Sequence, residues 1–168
     1  YDTELARTTP TALSVARDRL AGASVGDYAL FAGGYFAGGY GPSSVVDAYD
    51  TELARTTPTA LSVARTDLAG TSVGNYALFA GGSGSSVVDA YDTELARTTP
   101  TALSVARDRL AGASVGDYAL FAGGYFAGGY GPSSVVDAYD TELARTTPTA
   151  LSVARTDLAG TSVGNYAL

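Results

Sequence analysis

Short apolar segments that end at glycine alternate with polar turns along this chain. Residues 76–80 are apolar at every position, a pattern typical of a β-strand covered on both faces. Gly81-Gly82 predicts a turn after this strand, and the β-branched and aromatic residues at 86–91 predict a second, antiparallel strand. Further strands are predicted at 95–99 and 110–115, so the pattern indicates an all-β fold with four antiparallel strands in each unit.

The connection at residues 101–107 is the ambiguous part of the unit. Its apolar residues are compatible with one helical turn. The preceding Pro100 and the shortness of the segment favour an extended connection instead. We therefore predict a loop or strand end here, and essentially no helix in the protein.

The sequence is built from repeats. Residues 1–78 recur unchanged at 91–168, and each copy contains a long and a short unit that differ mainly in the hairpin loop. Natural repeats drift apart because each copy mutates independently, so this identity favours a designed protein over a very recent duplication. We predict one domain, 1–168, divided into units 1–48, 49–90, 91–138 and an incomplete 139–168.

Three elements recur in register along the whole chain: a Gly-Gly pair, a Tyr-Asp pair and an Ala-Arg pair. The first set is Gly33-Gly34, Tyr49-Asp50 and Ala64-Arg65. The pattern repeats at Gly81-Gly82, Tyr91-Asp92, Ala106-Arg107, Gly123-Gly124, Tyr139-Asp140 and Ala154-Arg155. This arrangement resembles the kelch repeat, which implies a β-propeller made of four-stranded antiparallel blades. The chain lacks the tryptophan that the kelch repeat usually carries several residues after the tyrosine.

The resemblance implies four blade equivalents in each chain. The chain is expected to begin and end within a predicted blade, and four broad blades leave little room around an axis. Pairing of two chains by two-fold symmetry leaves no unpaired sheet edge, so an eight-bladed ring formed by a homodimer is the leading prediction. A propeller truncated in this chain is the alternative.

Composition excludes most chemistry. The chain has no Cys, His, Met, Trp or Lys, which removes thiolate and imidazole metal ligands, the commonest general base and the Schiff-base nucleophile. A net charge of −7 argues against a nucleic-acid partner, and no apolar run approaches the length of a membrane span. We predict no enzyme activity, no cofactor and no metal. No signal peptide pattern is visible, so no compartment is predicted.

One aspartate in each unit lies within a predicted strand. Asp47, Asp89 and Asp137 are spread one per blade, so they do not converge as calcium ligands do. Paired catalytic carboxylates are also disfavoured, because Asp47 and Asp50, three residues apart on a strand, face opposite sides. We expect the three aspartates to accept hydrogen bonds from backbone amides or from the arginines Arg17, Arg65, Arg107 and Arg155.

The long units carry aromatic residues within a glycine-rich loop. These are Tyr35, Phe36 and Tyr40, repeated at Tyr125, Phe126 and Tyr130. Exposed loop aromatics are typical of protein-binding surfaces, and kelch-like propellers commonly bind partners through loops on one face. The alternative is that the rings fold back and cap the blade. The sequence therefore favours a self-assembling propeller scaffold, with a loop-displaying protein-binding module as the second hypothesis.

Long and short units also differ in charge at one position. Arg19 and Arg109 in the long units correspond to Asp67 and Asp157 in the short units. A closed ring would therefore alternate positive and negative charges at one radius, which would disfavour an assembly shifted by one blade. Inheritance of neutral differences from two parent repeats is an equal alternative.

Overall fold

The computed structural model describes residues 8–168, so the predicted strand fragment at the start of the chain lies outside the described residues. The described chain contains strands, turns and no helix, which confirms the all-β prediction. Within residues 8–168 no helix is long and apolar enough to cross a membrane. The connection at 101–107 is non-helical up to the short strand that begins at Arg107, as predicted.

Eighteen short strands follow one another along residues 8–168. In order they are β1 (Arg17–Asp18), β2 (Ala21–Val25), β3 (Tyr28–Ala32), β4 (Tyr35–Phe36), β5 (Val46–Tyr49), β6 (Arg55–Thr56), β7 (Ala69–Val73), β8 (Tyr76–Ala80), β9 (Val88–Tyr91), β10 (Arg97–Thr98), β11 (Arg107–Asp108), β12 (Ala111–Val115), β13 (Tyr118–Ala122), β14 (Tyr125–Phe126), β15 (Val136–Tyr139), β16 (Arg145–Thr146), β17 (Ser162–Val163) and β18 (Tyr166–Ala167).

Three antiparallel four-stranded sheets contain most of these strands. Sheet 1 has the order β2-β3-β5-β6, sheet 2 the order β7-β8-β9-β10 and sheet 3 the order β12-β13-β15-β16. Three two-stranded sheets accompany them: β1-β4, β11-β14 and β17-β18, of which the last is called the fourth sheet because it follows sheet 3 along the chain. Each strand pairs with the next of its sheet along the chain, so every sheet is a simple meander. The repeated sheets give the molecule internal symmetry and a β-propeller-like fold.

The third strand of each predicted unit is shorter than the sequence pattern indicates. The sequence predicts a strand at 95–99, whereas β10 contains only Arg97 and Thr98. The residues before β10 form a turn, in which one carboxylate oxygen of Asp92 accepts hydrogen bonds from the amides of Glu94 and Ala96. Side-chain acceptance of neighbouring amides competes with the strand ladder and delays its start.

The first strands of successive sheets lie side by side. Glycine permits their close approach, since a Cβ atom on Gly112 would lie 2.5 Å from the Gly70 carbonyl oxygen, closer than any real contact. A side chain at residue 112 would therefore push the two strands apart. Gly116 instead sits in the following turn with a φ of 52°, and a Cβ there would meet nothing.

Two hydrophobic cores fill the spaces between the sheets. The two sides of each complete sheet differ: one, the Leu face, carries Leu30, Val46 and Ala48 in sheet 1, and the other, the Phe face, carries Ala77, Phe79 and Tyr91 in sheet 2. These two faces meet between sheets 1 and 2. The same faces meet again between sheets 2 and 3, where Leu78 and Val88 oppose Phe121 and Tyr139. Each junction therefore repeats the same apolar contact.

Candidate functional site

A buried cluster of two arginines and one aspartate occurs in each complete sheet. In sheet 3, Asp137 accepts from Arg107 Nη2 at 2.5 Å, and its other oxygen accepts from Arg145 Nη1 at 3.0 Å and from the Ser104 amide at 3.0 Å. Arg107 Nη1 also donates to the carbonyl oxygens of Gly123 and Val135. The Asp137 and Arg107 side chains are fully buried.

The same arrangement surrounds Asp89 and Asp47. Asp89 pairs with Arg65 and Arg97, and Asp47 pairs with Arg17, with Arg55 3.7 Å away. Burial lowers the pKa of Arg65 and Arg107 from the ordinary arginine value, and the adjacent carboxylates partly offset that effect. The predicted pairing of the three aspartates with arginines and amides is confirmed. Each cluster therefore binds the segment that leads into a sheet, here called its incoming connection, to the aspartate within that sheet.

Arg155 differs from its three counterparts. Its backbone is held in the same way, since its amide donates to the Ser133 carbonyl and its carbonyl accepts from the Gly124 amide. Its exposed side chain, however, donates only to the Val153 carbonyl, and no carboxylate among residues 8–168 pairs with it. The predicted carboxylate partner of Arg155 is therefore missing from the described chain.

A tyrosine hydroxyl closes each cluster on the side of the incoming connection. Tyr91 donates to the Thr59 carbonyl at 2.7 Å, and Tyr139 donates to the Thr101 carbonyl at 2.8 Å. Burial, followed by the nearby aspartate, raises the pKa of both hydroxyls. The folded chain therefore retains these two protons more strongly than the unfolded chain does.

This difference predicts alkaline unfolding. The stabilisation from Tyr91 and Tyr139 is complete below about pH 10, the unfolded tyrosine pKa, and is lost as pH rises from there towards the raised folded pKa. We expect the absorbance of tyrosinate to show a late phase that coincides with loss of the circular dichroism signal. Substitution of both residues by Phe should remove that phase. A single ordinary titration with the fold intact would contradict the prediction.

The described residues offer no metal centre. Within residues 8–168 no three His, Cys, Asp or Glu side chains converge on a point. Asp47 is buried within β5, whereas Asp50 lies in the next turn and accepts hydrogen bonds from the Glu52 and Ala54 amides. These two aspartates therefore belong to separate structural elements and form no carboxylate pair.

The four alternating charged residues lie around one opening of about 310 Å³. Arg19, Asp67, Arg109 and Asp157 line it together with the leucines that follow them. Backbone hydrogen bonds run from Asp67 N to Arg19 O, from Arg109 N to Asp67 O and from Asp157 N to Arg109 O. Arg19 Nη1 lies 4.0 Å from Asp67 Oδ2, but Arg109 turns to the adjacent Asp108 at 3.8 Å. The structure thus brings all four residues to one opening, and Arg19 with Asp67 is the pair of neighbouring blades whose charged groups meet there.

The aromatic residues of the long loops divide into two groups. Tyr35 and Phe36 form β4 and pair with β1, and Tyr125 and Phe126 pair with β11 in the same way, so these rings are half-buried. Tyr40 and Tyr130 are each 86% exposed at the loop tips. The first two aromatic residues of each loop therefore fold back onto the blade, whereas the last tyrosine of each loop is exposed to solvent. Sequence periodicity could not reveal the two-residue strands.

The two ends of the sheet series expose surfaces that are covered inside it. Phe79 and Phe121 are fully buried, whereas Phe31, at the same strand position in sheet 1, is 38% exposed. Ala29 is exposed for the same reason, while its counterparts Ala77 and Ala119 are buried. At the opposite end, Val163 is 59% exposed, although the equivalent Val73 is only 4% exposed.

Comparison with known proteins does not assign the chain. It matches no known protein family and no curated protein sequence. The candidate function of the chain therefore rests on the end faces, the loop tips and the two-stranded fourth sheet.

Proposed function

We propose that the protein is a self-associating structural scaffold, in which a second copy covers the exposed end faces. The observation that carries the proposal is the 38% exposure of Phe31 against complete burial of Phe79 and Phe121. The Phe face of sheet 1 is exposed to solvent. The Phe faces of sheets 2 and 3 are each covered by the Leu face of the preceding sheet. In this proposal the repeat supplies surface complementarity and architecture, and no catalytic step.

The partner surface follows from the repeat. The fourth sheet has the same sequence as the corresponding part of sheet 2, whose Leu face receives Phe121. The fourth sheet of one copy is therefore the natural contact for the Phe face of another. Two such contacts, related by two-fold symmetry, would close a kelch-like ring of two chains. The exact identity of the copies supports a designed origin for this arrangement.

Substitution of Phe31 tests the proposal. We expect the native chain of 17.0 kDa to form a dimer whose population falls on dilution. Phe31→Ser should shift the protein to monomer, because a hydroxyl there would lose apolar contact across the junction. Tyr40→Ser is the matched control and should leave the mass unchanged. Monomer mass for the native chain at high concentration, measured by light scattering, would contradict the proposal.

Display of a protein-binding loop is the second candidate function. The 86% exposure of Tyr40 and Tyr130 favours it, since tyrosine gives large contact area at low entropic cost. The two tyrosines come from equivalent loops, so they would present the same surface twice. Replacing residues 35–42 and 125–132 by the Ser-Gly of the short unit tests this function. If a partner protein still binds after the replacement, the loops are not its binding site.

A further inference from the structure

The incomplete fourth sheet contains a set of hydrogen-bonding groups that are paired in every other sheet. Arg155 corresponds to Arg17, Arg65 and Arg107, whose guanidinium groups bind a buried aspartate and two carbonyl oxygens. The Ser152 amide corresponds to the Ser104 amide, which donates to Asp137. The Thr149 carbonyl corresponds to the Thr101 carbonyl, which accepts from Tyr139. Among the described residues, none of the three groups has the corresponding partner.

A cavity of about 670 Å³ adjoins these groups. Its wall includes Leu120, Val136 and Ala138 from the Leu face of sheet 3, and Thr149 and Arg155 from the fourth sheet's incoming connection. At the two complete junctions, the corresponding space is occupied by Phe79 and Phe121. Leu120 is consequently only half-buried, whereas Leu30 and Leu78 are fully buried. The cavity is thus an apolar site whose wall also includes the cation of Arg155 and the residue that carries the Thr149 carbonyl.

We propose that this site binds an extended peptide segment with the sequence Phe-Ala-Gly-Gly, a short loop, and Val-Val-Asp-Ala-Tyr. The chain itself shows how such a segment fits, because residues 79–91 occupy the equivalent position in sheet 2. Addition of an extended strand to a free sheet edge gains main-chain hydrogen bonds, and pockets for its side chains give specificity. The proposal does not depend on self-association through Phe31.

Each side chain of the incoming strand has a defined partner. Its phenylalanine enters the cavity, as Phe121 enters the junction between sheets 2 and 3. Its aspartate pairs with Arg155 and the Ser152 amide, and its tyrosine hydroxyl donates to the Thr149 carbonyl. The register in sheet 2 pairs Ala77 with Tyr91 and Leu78 with Ala90. The incoming tyrosine and alanine should therefore pair with Ala167 and Leu168.

The backbone around Arg155 is already arranged for this partner. The Arg155 amide donates to the Ser133 carbonyl at 3.0 Å, as the Arg65 amide does to the Ser43 carbonyl. The Arg155 carbonyl accepts from Gly124 at 2.9 Å, as the Arg107 carbonyl does from Gly82. Binding therefore requires only a change of the exposed Arg155 side chain and ordering of the incoming strand. A site with its main chain held in the bound geometry loses less entropy on association.

A synthetic peptide of residues 79–91, labelled at its carboxyl end, is the probe. We expect saturable one-to-one binding to the full 168-residue chain by fluorescence anisotropy. A peptide with Asp replaced by Asn should bind at least about tenfold more weakly, because the charge-assisted bonds to Arg155 are lost. Arg155→Gln should weaken the native peptide similarly, and Arg155→Lys should fall between. Combining Arg155→Gln with the Asn peptide should add little further loss.

Three outcomes would overturn the proposal: no binding of the native peptide, equal binding of a scrambled peptide, or equal binding of the Asn peptide. The Asn peptide requires no change in the protein, so misfolding of a variant cannot obscure the result. Phe31→Ser should bind the native peptide as the unaltered chain does. Peptide binding by a strictly monomeric chain would reject self-association alone, whereas dimer formation without peptide binding would reject this inference alone.

Discussion

Asp89→Ala is expected to destabilise the protein by about 3–5 kcal/mol, the usual cost of removing one partner from a buried ion pair. Asp89 is fully buried and binds Arg65, Arg97 and the Ser62 amide. Removal of its carboxylate would leave the buried Arg65 guanidinium without a counter-charge. Domains are stable by only about 5–15 kcal/mol in total, so a loss of this size is a large fraction.

Urea unfolding followed by circular dichroism measures this loss. Asp27→Ala is the matched control, because Asp27 lies in an exposed turn and the short units carry Asn at that position. Its effect should stay within about 0.5 kcal/mol. Equal unfolding midpoints for the two variants would show that the buried clusters contribute little beyond the apolar core.

The sequence allowed prediction of the elements with strong local signals. The strand at residues 76–80 was predicted with its observed bounds, because apolar residues and Gly81-Gly82 mark both its character and its end. The sequence also predicted that Asp89 accepts hydrogen bonds from a backbone amide or from one of four arginines, and the structure pairs it with Arg65. Residue type and local pattern were sufficient for the strand, but they left the choice of arginine open.

Other features depend on distant parts of the chain and carry no local signal. Phe31 and Phe79 stand in the same local sequence, Tyr-Ala-Leu-Phe-Ala, but only Phe79 has a neighbouring sheet over it. The pairing of β4 with β1 escaped prediction because strands of two residues show no periodicity. Likewise, Arg19 and Arg109 occupy equivalent positions, yet their side chains pair with different aspartates.

Phe79→Ala is expected to cost about 3–5 kcal/mol, as is usual when a buried phenylalanine is truncated. Phe79 has no exposed surface, lies between sheets 1 and 2 and packs edge-on against Tyr91 with ring centroids 6.0 Å apart. Truncation removes the transfer free energy of the ring and leaves a cavity that the two sheets close only partly. The expected loss therefore combines both contributions.

Phe31→Ala provides an internal control that few proteins offer. Phe31 makes the same edge-on contact with Tyr49 at 6.0 Å but lies on the exposed Phe face of sheet 1. Its truncation opens space to solvent instead of creating a closed cavity, so we expect a loss of no more than about 1–2 kcal/mol. Both variants should be unfolded in urea at concentrations where the native chain is monomeric. Equal losses would mean that the strand and its tyrosine partner stabilise the phenylalanine, and that the neighbouring sheet contributes nothing.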